Sequence, residues 1–208
     1  MLKKKGIPTS PGIAIGEVFL YKKLQIGKPK AGKISPSVEI AKFNEALEKT
    51  KKQVQQLKKK ALAEIGEEKA AIFDAHLMIL EDPAFTDKVK KYIEEGGLPA
   101  EEAVMKATRD IAAIFEAMED EYMRSRAEDI KDLGNQIVAV LIGEYVGLVL
   151  DKPSIIVAKE LLPSDTIKLR REYVLGFITE TGGVTSHCLL YTSDAADDGE
   201  SVDLGGRR

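Results

Sequence analysis

One long stretch of helical periodicity, flanked on both sides by strand-like runs, constrains this chain more than any other feature. From Ile40 the apolar positions Ile40, Phe43, Leu47, Val54, Leu57, Ala61 and Ile65 fall at steps of three, four and seven. That spacing lines them along one helix stripe. The opposite face is charged or Gln, with six lysines between Lys49 and Lys60, and reads as solvated surface. Pro36 behind Ser35 suits a helix entry, and Gly66 interrupts the stripe. Ile72, Phe73, His76, Ile79 and Leu80 define a second helix that stops before Pro83, because proline disfavours helix at the preceding residue. Phe85, Val89, Tyr92 and Ile93 predict a third, ended by Gly96 and Gly97. A fourth begins at Pro99 and carries Val104, Ala107, Ile111, Ile114, Phe115 and Met118. A fifth carries Tyr122, Ile130, Leu133, Ile137 and Leu141 to about Gly143. Short connections between such helices predict an antiparallel helical bundle.

Outside this stretch the period changes. Residues 13–21 (IAIGEVFLY) alternate and carry β-branched and aromatic side chains, as a strand does. Residues 154–158 (SIIVA) and 173–178 (YVLGFI) are short continuous apolar runs of strand type. Between them Leu162-Pro163-Ser164-Asp165-Thr166 predicts a turn into a short helix with Ser164 as N-cap. Strands of like apolar character at distant positions predict one shared sheet. The fold class is therefore α+β or α/β: a discontinuous α/β domain, residues 1–21 and 146–188, with a helical bundle, residues 34–144, inserted in it. A chain of 208 residues, 44% apolar, can build two such cores.

Charge and cysteine usage narrow the function classes. The chain has 31 basic and 34 acidic residues, a net charge of −3, so nothing demands a nucleic-acid partner. A single cysteine, Cys188, excludes an internal disulfide framework and fits a reducing cytoplasm. No apolar run approaches the ~18 residues of a membrane span. The basic start, Met1 to Lys5, is followed by Pro8, Pro11 and Gly12 where a secretion signal needs an apolar stretch. The expectation is a cytoplasmic protein with no membrane contact.

The candidate chemistry lies at Gly182-Gly183-Val184-Thr185-Ser186-His187, directly after the last apolar run. Gly182 and Gly183 permit tight turns and close backbone approach. Thr185 and Ser186 are N-cap types, so a helix start here would offer free N–H groups to an anion. His187 would stand beside that site, and neutral imidazole is a competent nucleophile near pH 7. The spacing alone leaves a plainer alternative open: a glycine turn before a helix, with a surface histidine next to it.

Several segments together carry a resemblance. They are Ser10-Pro-Gly-Ile-Ala-Ile-Gly16, Gly66-Glu-Glu-Lys69, Ile72-Phe-Asp-Ala-His-Leu-Met-Ile-Leu-Glu-Asp-Pro83, Asp120-Glu-Tyr-Met-Arg-Ser-Arg126, Asp129-Ile-Lys-Asp-Leu-Gly134, Leu162-Pro-Ser-Asp-Thr166, and Gly176-Phe-Ile-Thr179 running into Gly182–His187. In this order, over residues 1 to about 188, the chain resembles the N-terminal half of enzyme I of the bacterial phosphoenolpyruvate:sugar phosphotransferase system. The resemblance implies that the α/β part is a phosphohistidine domain and that the bundle binds the small carrier protein HPr. It implies that His187 accepts a phosphoryl group from phosphoenolpyruvate and passes it to a histidine of HPr. Thr185, Ser186, Thr166, Gly182 and Gly183 would support the phosphate. Glu67, Glu68, His76, Met78, Ile79, Glu81, Asp82 and Arg126 would meet the carrier. Phosphoenolpyruvate, Mg2+ and the dimer contact belong in that family to a C-terminal barrel with no counterpart in this sequence, so a monomer without bound metal is expected.

Two departures stand out. Val184 occupies a position where the family usually has Arg, which removes a cation beside the phosphate. After Cys188 the resemblance stops, and residues 189–208 (LLYTSDAADDGESVDLGGRR) are polar, rich in Gly and Asp, and without a helical stripe. They look like a foreign tail, expected to be disordered, which would leave the α/β domain truncated and unable to react with phosphoenolpyruvate by itself. Two other functions fit parts of the pattern: a docking module that binds HPr without chemistry, and the phosphohistidine domain of a pyruvate phosphate dikinase or phosphoenolpyruvate synthase relative, though these lack the Gly-Glu-Glu-Lys and Leu-Glu-Asp-Pro segments.

Overall fold

The computed structural model describes residues 6–8, 12–21, 35–143 and 150–180. In chain order these form strand β1 (Glu17–Tyr21), helices α1 (Pro36–Ala70), α2 (Ile72–Glu81), α3 (Pro83–Glu94), α4 (Ala100–Glu116) and α5 (Glu121–Ile142), strand β2 (Ser154–Ala158), the short helix α6 (Pro163–Lys168), and strand β3 (Val174–Thr179). All five long helices thus lie between β1 and β2 in sequence.

The helices form where their local chemistry allows. Pro36 opens α1 one residue after Ser35, where its missing N–H has no partner to lose. Gly66 adopts φ 83, ψ 173 inside α1. That left-handed conformation is cheap only for glycine, and it bends the last turn, with Glu67 and Glu68, away from the helix line. Asp82 and Asp120 cap α3 and α5, accepting from Ala84 N at 2.8 Å and Met123 N at 2.8 Å. The start of α4 is capped from another element: the Glu39 carboxylate of α1 accepts from Ala100 N at 2.9 Å. Burial pushes the Glu39 carboxyl up, but Lys42 and the Ala100 N–H together bring it below its usual value.

The stripes meet in one core. Phe43, Val54 and Ala61 of α1, Phe73 and Leu80 of α2, Phe85, Val89 and Ile93 of α3, Val104 and Ala107 of α4, and Leu133 and Ile137 of α5 are all buried in it. Ile167 of α6 joins the same core, so the short helix is seated on the helical segment. The ends of two predicted stripes behave differently: Ile114 is 56% exposed and Tyr122 63% exposed, so these residues face outward.

The three strands share one sheet, in order β1-β2-β3 and parallel throughout. Parallel neighbours need crossover connections. The crossover from β1 to β2 spans the whole helical segment, and that from β2 to β3 includes α6. Ile156 and Ala158 are buried with Leu150, Leu161 and Leu169, against which Phe19, Tyr21 and Phe177 pack. Val18, Leu20 and Ile178 on the other face are exposed among the described residues.

Three details differ from the sequence reading. The first strand starts at Glu17, not Ile13, and Ile13 and Ile15 lie exposed ahead of it. The third begins at Val174, because Tyr173 completes a 3-10 turn. The N-cap of α6 is Leu162, not Ser164: Pro163, with its fixed φ, takes the first helical position, and the Ser164 hydroxyl bonds elsewhere.

Helices α4 and α5 approach closely at Gly134. A Cβ there would meet Thr108 Cγ2 at 2.6 Å and Cβ at 2.9 Å, with Oγ1 closer still. Gly134→Ala should therefore destabilise the chain by about 1–3 kcal/mol, despite alanine's better helix propensity, as read by thermal denaturation. Adding Thr108→Ala should restore only part of the loss, since the Thr108 Cβ remains.

Candidate functional site

The site begins with the carboxyl ends of the parallel strands, where ligands of open α/β sheets bind. The chain runs from β3 to residues 182–187 within a few positions. Gly182, Gly183, Thr185, Ser186 and His187 themselves lie outside the described residues. Thr166 is described: it sits in α6, is buried, and its hydroxyl donates to the Pro163 carbonyl at 3.0 Å. With its proton committed there, the Thr166 oxygen has lone pairs left to accept a hydrogen bond.

Around Thr166 lies a buried polar cluster that joins all parts of the fold. Asp132 of α5, 1% exposed, accepts from Ser164 N at 3.0 Å and Ser164 Oγ at 2.5 Å, and from Gln136 Nε2 at 3.1 Å. Asp165 accepts from Leu162 N at 3.1 Å and from the hydroxyl of Tyr21, the last residue of β1, at 2.9 Å. At the other end of α6, Lys60 of α1 donates to the Ile167 carbonyl at 2.6 Å. Burial pushes the Asp165 carboxyl up, and the charge of Asp132 adds to the shift, against the opposing bonds from Leu162 and Tyr21 and the charge of Lys168. Burial lowers the Lys168 ammonium, while Asp132 and Asp165 oppose that shift. The Tyr21 phenol is raised by burial and by Asp165, so it stays a donor. Sequence reasoning passed over Asp132, Lys60 and Tyr21; Asp132 falls beside the apolar stripe of α5, among Glu128, Asp129 and Gln136, where periodicity gives no signal.

The second group of candidates lies on the last turn of α1, along α2 to its C-cap, and near the start of α5. Glu67, Glu68, Glu81 and Asp82 are exposed, Met78 is 73% exposed, and Ile79 is half-buried against Ala112, Ala127 and Ile130. Apolar surface is thus mixed with carboxylates. Arg126 is half-buried and pairs with Asp129 Oδ2 at 3.0 Å. Its guanidinium lies over the Tyr122 ring, 4.6 Å from the centroid, and also bonds the Tyr122 hydroxyl. Burial works against the Arg126 charge, but the bonds to Asp129 and Tyr122 outweigh it and hold the group above its usual value.

His76 requires a correction. As a carrier contact it must be accessible, yet its side chain is fully buried. It falls with Phe73 and Leu80 on the inner stripe of α2, its ring edge-on to Phe73, and its Nε2 stands 3.3 Å from Asp129 Oδ1. His76 therefore lies beneath the surface, behind the carboxylate that holds Arg126. Among the described residues no group of His, Cys, Asp and Glu is placed to hold a metal ion, and no helix is long and apolar enough to cross a membrane.

A mostly helical chain with a small parallel sheet, whose last strand leads into a glycine–hydroxyl–histidine run, defines a class. The family models for the N-terminal part and the mobile domain of PEP-utilising enzymes match residues 5–126 and 150–191. The chain belongs to the PEP-utilising enzymes. Within that family it is similar to phosphoenolpyruvate-protein phosphotransferase, enzyme I. The protein of that name from Listeria monocytogenes is 38% identical over 188 residues, covering 89% of this chain and 33% of that protein. The one from Bacillus subtilis is 37% identical over 196 residues, covering 91% and 34%. The chain thus spans about a third of the length of the curated relatives it matches. A solution structure of Enzyme I (nEIt) is 39% identical, with a TM-score of 0.68 over 90% of this chain and 77% of that one. The N-terminal domain of Enzyme 1 - Nitrogen is 26% identical, with a TM-score of 0.62 over 89% and 78%.

The raised Asp165 carboxyl gives a pH prediction. A carboxyl whose value is higher folded than unfolded contributes stability below its unfolded value, about 3.9, and loses it as pH rises through the folded value. The groups facing it are Asp132, Tyr21 and Lys168. Asp165→Asn carries no charge and keeps one oxygen, which can accept from Leu162 N while its NH2 donates to the Tyr21 hydroxyl. Its melting temperature relative to the unmodified chain should rise as pH increases above about 4 and level off once pH passes the folded value. Parallel pH profiles would show that the carboxyl is not raised.

Proposed function

We propose that this chain carries the phosphohistidine and carrier-docking parts of a phosphoenolpyruvate-protein phosphotransferase, and that His187 is its phosphoacceptor. The observation that carries the reading is the mobile-domain match over residues 150–191, which runs through His187. A neutral ring nitrogen of His187 attacks the phosphorus of the donor, a new N–P bond forms, and the donor bond to phosphorus breaks. With phosphoenolpyruvate as donor in the longer relatives' arrangement, enolpyruvate leaves; with phosphorylated HPr, the carrier imidazole leaves. The transferring group needs donors for its equatorial oxygens. Thr185, Ser186, Thr166 and the backbone at Gly182 and Gly183 are assigned that task.

The docking face is assigned to Glu67, Glu68, Met78, Ile79, Glu81, Asp82 and Arg126. Exposed apolar side chains among carboxylates suit a basic carrier, whose approach the charges would steer. HPr is the partner this reading names, and the cytoplasm its compartment. The described residues offer no donor set for Mg2+, so no step above runs through that ion. Residues 34–144 are read as the docking unit, and 1–21 with 146–188 as the phosphohistidine unit.

The test is transfer of labelled phosphate from phosphorylated HPr to the 208-residue chain. Acid-labile label is expected on the unmodified chain and none on His187→Ala. Binding of HPr with no label on the unmodified chain would make it a docking module instead. Glu67→Gln and Glu68→Gln should each weaken HPr binding by up to about fivefold, with the difference shrinking as salt rises. Equal affinity at low salt would place the docking face elsewhere.

A further inference from the structure

We infer that Asp132 and Lys60, both on the helical segment, are positioning residues for the phosphoryl-transfer step because they hold α6, and with it Thr166, at both of its ends. This rests on the phosphoryl-transfer reading above and adds two residues to it that belong to neither the motif nor the docking face.

Helix α6 has only six residues. Helices this short are marginal in water, and their end groups lack partners within the helix. Here both ends are satisfied from outside. At the N-terminal end, Asp132 takes both the backbone N–H and the hydroxyl of Ser164, with Oδ2 on the N–H and Oδ1 on the hydroxyl. Such charge-assisted pairs are short and directional. At the C-terminal end, the Lys60 ammonium meets the Ile167 carbonyl at 2.6 Å and lies 3.5 Å from that of Leu169. An anion at the start and a cation at the end also match the helix dipole. Between them Ile167 is buried in the helical core.

Nothing in this arrangement is needed simply to bury apolar surface. Asp132 is a carboxylate placed in an interior, a costly choice unless its hydrogen bonds are well made, and two of its three go to one residue of α6. That residue is two positions before Thr166, whose hydroxyl is tied to Pro163 within the same turn. Displacing the Ser164 end therefore displaces the Thr166 oxygen. Asp165 cannot hold α6 by itself, since it bonds Leu162 of its own segment and Tyr21 of the sheet.

The experiment is single-turnover transfer from phosphorylated HPr to the full chain, read as a limiting rate and a half-saturating HPr concentration. Misplacement of a group at a reacting centre is expensive in rate. Asp132→Ala should lower the limiting rate by about tenfold or more and leave the half-saturating concentration unchanged. Asp132→Asn, which can still accept from Ser164 N, should recover most of that rate. Lys60→Met should act in the same direction and Lys60→Arg should not. Amide hydrogen exchange at Ser164 and Thr166 should quicken in Asp132→Ala while α5 stays protected. If Asp132→Ala does not fold, Ser164→Ala removes one arm of the same contact and should show a smaller fall. An unchanged limiting rate in folded Asp132→Ala or Ser164→Ala, with unmodified chain that labels normally, overturns the positioning role alone. A matching rise in half-saturating concentration would overturn it too, by placing the effect in docking. An unmodified chain that takes no label overturns the phosphoryl-transfer reading, and this inference with it.

Discussion

The fold depends on a single buried carboxylate finding its partners. Asp132 is buried on α5 beside the apolar stripe of Ile130, Leu133 and Ile137, and an unpaired charge there would destabilise the core severely. It is tolerated because Ser164 and Gln136 donate to it. The consequence is that the helical segment cannot satisfy its own interior without α6, and α6 cannot satisfy its own first turn without α5. The two pieces are thus bound by complementary needs, with Lys60 repeating the arrangement at the other end. Tyr21 then ties the same short helix to the sheet through Asp165. An element of six residues is the point where helices and strands are joined.

The second consequence concerns charge. Asp132 and Asp165 face each other closely enough that the charge of one raises the other, and a lone pair of buried acids would repel. Lys168 supplies the compensating cation, lowered by burial against the opposing charge of the two acids. A third partner, the Tyr21 phenol, donates without carrying charge. The cluster therefore sets two buried acidic side chains against one half-buried lysine. That excess of negative charge is offset locally by N–H groups at the start of α6, which is the usual place for an anion on a helix.

How much of this is legible in the sequence depends on whether the information is periodic. The stripes of α1 to α5 read directly, because burial of a helix face imposes a 3.6-residue repeat whatever the partner. Gly66 reads as a break for the same reason, and 154–158 as a strand because its run is bounded and continuous. The residues joining the elements do not repeat. Asp132 and Lys60 look like ordinary surface charges when counted by type, and Ser164 looks like an N-cap until Pro163 claims the first helical position. His76 is the reverse case. Its spacing with Phe73 and Leu80 already places it inward, yet the resemblance draws it to the docking surface. The six-residue motif at 182–187 is legible as chemistry, but its geometry belongs to residues outside those described.

Buried His76 nevertheless bears on the proposed docking face. Its Nε2 lies against one oxygen of Asp129, and the other oxygen of that carboxylate holds Arg126. Arg126 in turn stacks on exposed Tyr122. An interior imidazole, a buried acid and a surface guanidinium thus follow one another from core to solvent. Long, flexible Arg side chains lose much freedom when they bind. One already fixed by a carboxylate below and an aromatic ring beside it has lost that freedom before any partner arrives, and preorganisation of this kind lowers what association must overcome. If Arg126 meets the carrier as proposed, a residue with no exposed atom would contribute to recognition through the rigidity of the one that has.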